Sequence, residues 1–366
     1  MGLNRWVKDF LSPRKKGRVR VKNKNDSLLQ INLMIAMKRT FALTICCIVV
    51  FVPLWATIPI GYYDSADQKK GETALSALHK CIDNHTVINY SSLENYYEDI
   101  DFDASGHLMD MYSTCVFTMS DANGGQKAVC DCWNKEHSIP QSWFSKKSPM
   151  KSDLFHVYPT DARVNNFRGN MPYGECAGSN GTGITKNTGN HALGKVGTST
   201  FSGYSGKVFE PDDEYKGDFA RTYFYMVARY LTNALNASEG SKVFTYTNGK
   251  TGLTTYALNL FLKWHREDPV SQKEIDRNNA VYKVQKNRNP FIDYPYLVEY
   301  IWGKEKGNTV FFDKMMPSDD PNFIPNESDG NKTATDIVSP RNPNVVGKKI
   351  FRNGQLLIEY NGQYYN

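Results

Sequence analysis

The sequence predicts an α+β protein in which amphipathic helices surround a short unit of strand and turn. Three observations predict it. Apolar residues recur at helical spacing in separated segments, at Leu75, Leu78 and Ile82 and again at Phe219, Tyr223, Met226, Val227 and Tyr230. Aromatic and β-branched residues are mixed through residues 84–120, as strands favour. The stretch from Trp133 to Glu175 crowds acid, imidazole, amide and guanidinium groups between turn residues, which marks it as the chemical centre.

Residues 1–36 are basic and polar, and MKRT beginning at Met37 is followed by a long apolar run. This reads as a secretory signal over residues 37–60 that starts at an internal Met, with residues 1–36 as an upstream extension or a basic arm. Residues 1–40 hold eleven basic and two acidic residues, a net of +9, which leaves the remainder at about −3. The overall charge of +6 therefore belongs to the leader, and it is no sign of nucleic-acid binding by the body. A local patch has to serve instead, for which Lys135, Lys146, Lys147, Lys151, Arg163 and Arg168 are the candidates. Five cysteines lie beyond the leader, and in a secreted chain they allow at most two bridges, placed around the chemical centre.

The remaining elements follow in order. A helix is expected from Gly71, with His79 in a structural role. Val116–Met119 is expected to begin the strands that present Glu136 and His137, which should lie at a strand end because Pro140 prevents a longer one. Asp101 and Asp103 are read as turn residues, and Trp133, Trp143 and Phe144 as core. Thr160 or Asp161 can cap a helix that Gly169, Asn170 and Pro172 end. Residues 176–206 read as a long Gly, Ser, Thr and Asn-rich loop bordering the cleft. Helices follow over Glu214–Ala234, over Leu258–His265, and after a cap and proline at Asp268 and Pro269. Residues 313–345 read as a linker, and 346–366 as a small β-hairpin with NG at its turns.

Hydrolysis of a phosphodiester needs an activated water, neutralised phosphoryl oxygens and help for the leaving oxygen. A histidine takes the water proton at neutral pH. One carboxylate and one amide, with water and substrate filling the other positions, suit Mg²⁺. Glu136 with an Asn from Asn165, Asn166 and Asn170 offers that set. On a helix, Asn165 and Arg168 share a face, so an amide and a guanidinium can point at one phosphate.

The segments WNKEHSIPQSWF, DLFHVYPTDARVNNFRGN with PYGE, VFEPDDEYKGDFARTYFYM and KWHREDPVSQKEIDRNNAVY, in this order, resemble the endonuclease I family of secreted and periplasmic bacterial nucleases. The resemblance covers roughly Gly61 to Trp302 and implies a nuclease domain over residues 61–312. It implies a mixed helical domain around a ββα-metal (His-Me) finger, cleavage of DNA with RNA as a further substrate, and 5′-phosphate products. It implies Mg²⁺, with Mn²⁺ or Ca²⁺ as substitutes. Residue by residue, His137 matches the general base, Glu136 a metal ligand and Asn165 the second ligand, with Asn166 as the fallback. Arg168 matches an Arg of the pattern and is expected on the scissile phosphate, while Asp153, His156 and Asn170 are expected to support the site. Family members carry several disulfides, and this chain departs from them. The competing expectation is a cell-surface nucleic-acid or glycan binding protein that kept the fold and lost the chemistry.

Overall fold

The computed structural model describes residues 58–125, 127–178 and 191–326, together with the backbone of four C-terminal strands. The expected extension and almost all of the signal segment lie outside the described residues. Among the described residues no helix is long and apolar enough to cross a membrane.

The architecture is mixed α and β, with helices dominating and the strands gathered in small sheets. Helix α1 spans Gly71–Ile82 and buries Leu78 and Ile82 of the expected stripe, with Ala74 fully buried beside them and Leu75 only half-buried against the core. His79 on it reaches the carbonyl of Ala228 at 3.0 Å, a structural contact. Helix α2, Glu94–Ile100, leads to Asp101, which is buried against Arg277, and to Asp103, whose carboxylate accepts from the Ser105 and His107 amides in a turn. The segment Val116–Met119 is not a strand: it runs extended into a 3₁₀ turn at Met119–Asp121. The partner of β1, Trp133–His137, is instead β2, Val157–Asp161, in an antiparallel pair with Glu136 opposite Tyr158 and His137 opposite Val157.

Helix α3, Ala162–Arg168, follows β2 directly. Asp161 caps it, its Oδ1 accepting from the Arg163 and Val164 amides at 2.8 and 2.9 Å. Gly169 ends it at φ +55°, ψ −129°, a conformation that excludes a side chain at low cost.

Within the expected loop 176–206, a strand β3, Lys195–Thr198, pairs with β4, Lys207–Glu210. Helix α4 is Lys216–Arg229, shorter than the expected Glu214–Ala234, and every one of its residues is buried. It is the axis of the core rather than a half-exposed amphipathic helix. Tyr223 stacks on Phe244 at 5.6 Å and meets Phe261 at 4.4 Å, and Phe224 stacks on Trp302 at 4.7 Å. Strands β5 and β6, Phe244–Thr247 and Lys250–Leu253, form a hairpin before α5, Thr255–Glu267.

The next helix, α6, is Gln272–Gln285, and its cap is Ser271 in a capping box with Glu274. Asp268 does not cap it, because its carboxylate is held by the Gly217 amide at 2.7 Å. Helix α6 ties the body together as its charges suggest, with Glu274 accepting from the fully buried Arg221 and Arg277 pairing with Asp101. Two short helices, α7 at Pro290–Asp293 and α8 at Leu297–Ile301, close the body.

The first part of the expected linker is anchored to the body. Ser318 donates its amide to the Asp293 carbonyl, and Asn326 donates to Val270. Beyond it, β7 to β10, at Asp336–Val338, Val346–Arg352, Gln355–Tyr360 and Gln363–Tyr365, form one antiparallel sheet in the order β10-β9-β8-β7, larger than the expected hairpin.

Cys115 and Cys130 form one disulfide, and Cys81, Cys132 and Cys176 are thiols.

Candidate active site

Strand alternation organises the site. On β1, Asn134 and Glu136 share one face, while Trp133, Lys135 and His137 share the other. Helix α3 lies against the first face, and two of its side chains meet that pair. The Asn165 Nδ2 donates to Asn134 Oδ1 at 2.8 Å, and Arg168 Nη1 donates to Glu136 Oε1 at 2.9 Å. Because β1 stops at His137, side chains from both faces reach the cleft beyond its end. That cleft, of about 380 Å³, is lined by Glu136, His137, Asn165, Asn166 and Asn170, with Gln141 and Lys146 at its rim.

Glu136 is buried with two donors on the same oxygen: Arg168 Nη1, and the Tyr112 hydroxyl at 2.9 Å on Oε1. Burial pushes its carboxyl up to about 7, against the opposing pull of Arg168 and Tyr112. Tyr112 in turn is 2.6 Å from the Tyr173 hydroxyl.

His137 is held on two sides. Its Nε2 lies 2.9 Å from the Lys151 carbonyl oxygen, which can only accept, so Nε2 carries the hydrogen and the lone pair belongs to Nδ1. The Tyr90 ring stacks on its face at 5.6 Å between centroids, with an interplanar angle of 29°. Burial pulls the imidazole down to about 3, helped by His156 nearby, so the ring is neutral at pH 7 and its Nδ1 lone pair is unprotonated.

Arg168 takes a different place from the one expected. Its guanidinium is buried and donates to Glu136 Oε1, to the His137 carbonyl at 2.8 Å and to the Ser138 carbonyl at 2.5 Å. It does share the α3 face with Asn165, but its hydrogens point into the protein and not toward a phosphate. Burial works against its charge, and Glu136 together with Tyr173, Tyr112 and Tyr223 outweighs it, so its pKa is raised. Nor is it part of a surface patch; of the other candidates, Lys146 and Lys147 are exposed, Lys135 is paired with Glu94, Lys151 lies over the Tyr90 ring at 4.8 Å, and Arg163 lies over Phe167 at 4.5 Å.

The supporting residues divide. Asn166 and Asn170 are exposed at the cleft. His156 is fully buried behind His137, their rings 5.5 Å apart, with its Nε2 on the Met150 carbonyl at 2.5 Å. Asp153 lies in the core, accepting from the Tyr225 and Tyr230 hydroxyls at 2.8 Å each and from Gln285 at 3.0 Å. It does not reach the cleft. Sequence reasoning missed Tyr90, Tyr112 and Asn134. Only Asn134 left a signal, since a residue two before Glu136 on a strand shares its face.

A hard divalent cation suits the donor set of Glu136 and Asn165, both of which offer oxygen and line one cleft. Among the described residues the metal-binding types that cluster elsewhere are Cys115, Cys130 and His191, whose two sulfurs are bonded to each other.

A family model described as Endonuclease I matches residues 70–296, more than half of the chain and the whole of this site. The chain belongs to the endonuclease I family. Its relatives within and around that family include the extracellular ribonuclease of Bacillus amyloliquefaciens, 36% identical over 251 residues, covering 66% of this chain and 78% of that protein. Endonuclease-1 of Buchnera aphidicola subsp. Acyrthosiphon pisum is 24% identical over 162 residues, 44% of this chain and 52% of its own. The extracellular deoxyribonuclease of Aeromonas hydrophila is 25% identical over 162 residues, 44% and 58% respectively. The protein is thus a nuclease of the endonuclease I family, with one disulfide among its described residues.

Proposed function

We propose that this chain is an exported, Mg²⁺-dependent endonuclease of low sequence preference, cleaving RNA as well as DNA, and that β1, β2 and α3 are its ββα-metal finger. The observation that carries the reading is the convergence in one cleft of a neutral histidine with a fixed tautomer and an oxygen donor pair from Glu136 and Asn165. It favours a working nuclease over a binding protein that lost the chemistry.

His137 Nδ1 is the base that takes the proton of the attacking water. The Lys151 carbonyl keeps the other ring hydrogen in place, and Tyr90 backs the ring. Glu136 Oε2 and Asn165 Oδ1 are the protein oxygens that hold the cation, Oε1 being engaged by Arg168 and Tyr112. When bound, Mg²⁺ neutralises charge on the phosphoryl oxygens and eases departure of the leaving oxygen. Arg168 acts as the fixed counter-charge that holds Glu136, and Asn166, Asn170 and Lys146 border the substrate path.

Low sequence preference follows if the cleft grips phosphates, which carry little base information. RNA as well as DNA is supported by the relatives, which are named ribonuclease in one case and deoxyribonuclease in another. Export is supported by their extracellular naming and by the apolar run after Met37. Products bearing a 5′-phosphate are part of the same reading. Incubation of the protein with single- and double-stranded RNA and DNA, with end-group analysis of the products, tests the substrate and product assignments; an intact pool of all four substrates in Mg²⁺ contradicts them.

A further inference from the structure

We propose that Asn134, two residues before Glu136, is the positioning residue that aims the Asn165 amide at the cation; the inference rests on Asn165 being a ligand, as proposed above.

An asparagine side chain offers an acceptor at one corner and only donors at the other, and its last torsion has two broad, nearly equivalent orientations. A cation can use the oxygen alone. Something must therefore choose the orientation, and in this site two acceptors do so. Asn165 Nδ2 lies 2.8 Å from Asn134 Oδ1 and 3.4 Å from the Lys135 carbonyl oxygen. The Lys135 carbonyl can only accept, so the corner of Asn165 that faces β1 is the NH₂, and Oδ1 is the other corner. At 3.4 Å the carbonyl is a weak hold, so Asn134 supplies most of the orientation.

The placement follows from the strand. Asn134 and Glu136 project from one face of β1 onto α3, where residues three apart meet them in turn: Asn165 on Asn134 and Arg168 on Glu136. Both oxygen donors of the cation site are thereby held by a partner across the same strand-helix seam. Asn134 itself is half-buried and lines the cleft, so its loss removes an acceptor without opening the core.

The test is Mn²⁺ binding to the purified protein without substrate, followed by the paramagnetic signal of the free ion. Asn134→Leu should raise the Mn²⁺ Kd about tenfold or more, in the range that loss of a ligand's supporting partner gives. Asn134→Asp, which keeps the acceptor, should hold the Kd within about threefold of the original, well short of that loss. Asn134→Ala carries the same expectation as Leu and serves if the larger side chain lowers the melting temperature of the metal-free protein. Unchanged Mn²⁺ affinity in Asn134→Leu and Asn134→Ala, with Asn165→Ala weakened, overturns the positioning role and leaves the ligand assignment standing. Unchanged affinity in Asn165→Ala overturns the ligand assignment and the positioning role with it.

Discussion

Arg168 and Glu136 form an ion pair at 2.9 Å in which both side chains are almost wholly buried, Glu136 keeping a small edge on the cleft. The pair joins the last turn of α3 to the penultimate residue of β1, tying the helix that carries Asn165 to the strand that carries Glu136. Replacing Arg168 by Met leaves a buried carboxylate without its counter-charge, at a cost of about 3–5 kcal/mol. Arg168→Lys should rescue little, because one ammonium cannot reach Glu136 and the His137 and Ser138 carbonyls with the fork geometry that the guanidinium uses. Urea unfolding of both variants checks this, and a loss below about 1 kcal/mol in Arg168→Met would contradict it.

The raised carboxyl of Glu136 predicts how cation binding responds to pH. Burial lifts it to about 7, so near neutrality a proton and a cation compete for it. Below that value the carboxyl is protonated and affinity should fall by about tenfold per pH unit, while above it affinity should level off with no proton released on binding. Calorimetry in buffers of different ionisation enthalpy measures the proton released. A flat Mn²⁺ affinity through the acid side would contradict the placement of Glu136 as a ligand.

In the proposed mechanism Tyr90 is a further positioning group for His137, through its stack on that ring. Tyr90→Ala should lower kcat by about tenfold with KM little changed, since the ring backs the imidazole and lies under the Lys151 ammonium. Tyr90→Phe should keep the stack and most of the rate. A rise in KM alone would assign Tyr90 to substrate contact instead.

Much of this site can be read from the sequence, and the limits have physical causes. Helix α1, the α3 cap and the Gly169 stop follow from local rules of spacing, capping and backbone conformation. So does the place of Glu136 and His137 at a strand end. What the sequence does not carry is distance across the fold. Arg168 on a short helix after Asn165 looks like a phosphate contact, and only the β1 face opposite it turns the guanidinium inward. Asp153 sits close to His156 in sequence, yet Tyr225, Tyr230 and Gln285 draw its carboxylate into the core from far along the chain. The apolar stripe of α4 reads as one face, but aromatic residues from β5, α5 and the segment after α8 cover the others.

The disulfide bears on α3 through its cap. Cys130 donates its amide to Asp161 Oδ2 at 2.7 Å, and Asp161 Oδ1 caps the helix. With the bridged cysteines 15 positions apart, chain entropy alone gives a stabilisation of about 3 kcal/mol. Cys115→Ala with Cys130→Ala, or reduction by a thiol, should lower the melting temperature by several degrees. Equal melting temperatures in oxidised and reduced protein would show that the bridge contributes nothing to the fold.

In the proposed function His137 activates water in a Mg²⁺-dependent cleavage. The most direct test is nicking of a supercoiled plasmid, and of a structured RNA, by the purified protein in Mg²⁺, with EDTA and with His137→Ala. We expect cleavage of both that stops in EDTA and falls by about 10²–10⁴-fold in His137→Ala, with an unchanged far-ultraviolet circular dichroism spectrum. Cleavage by His137→Ala at the original rate, or cleavage that continues in EDTA, would contradict the account.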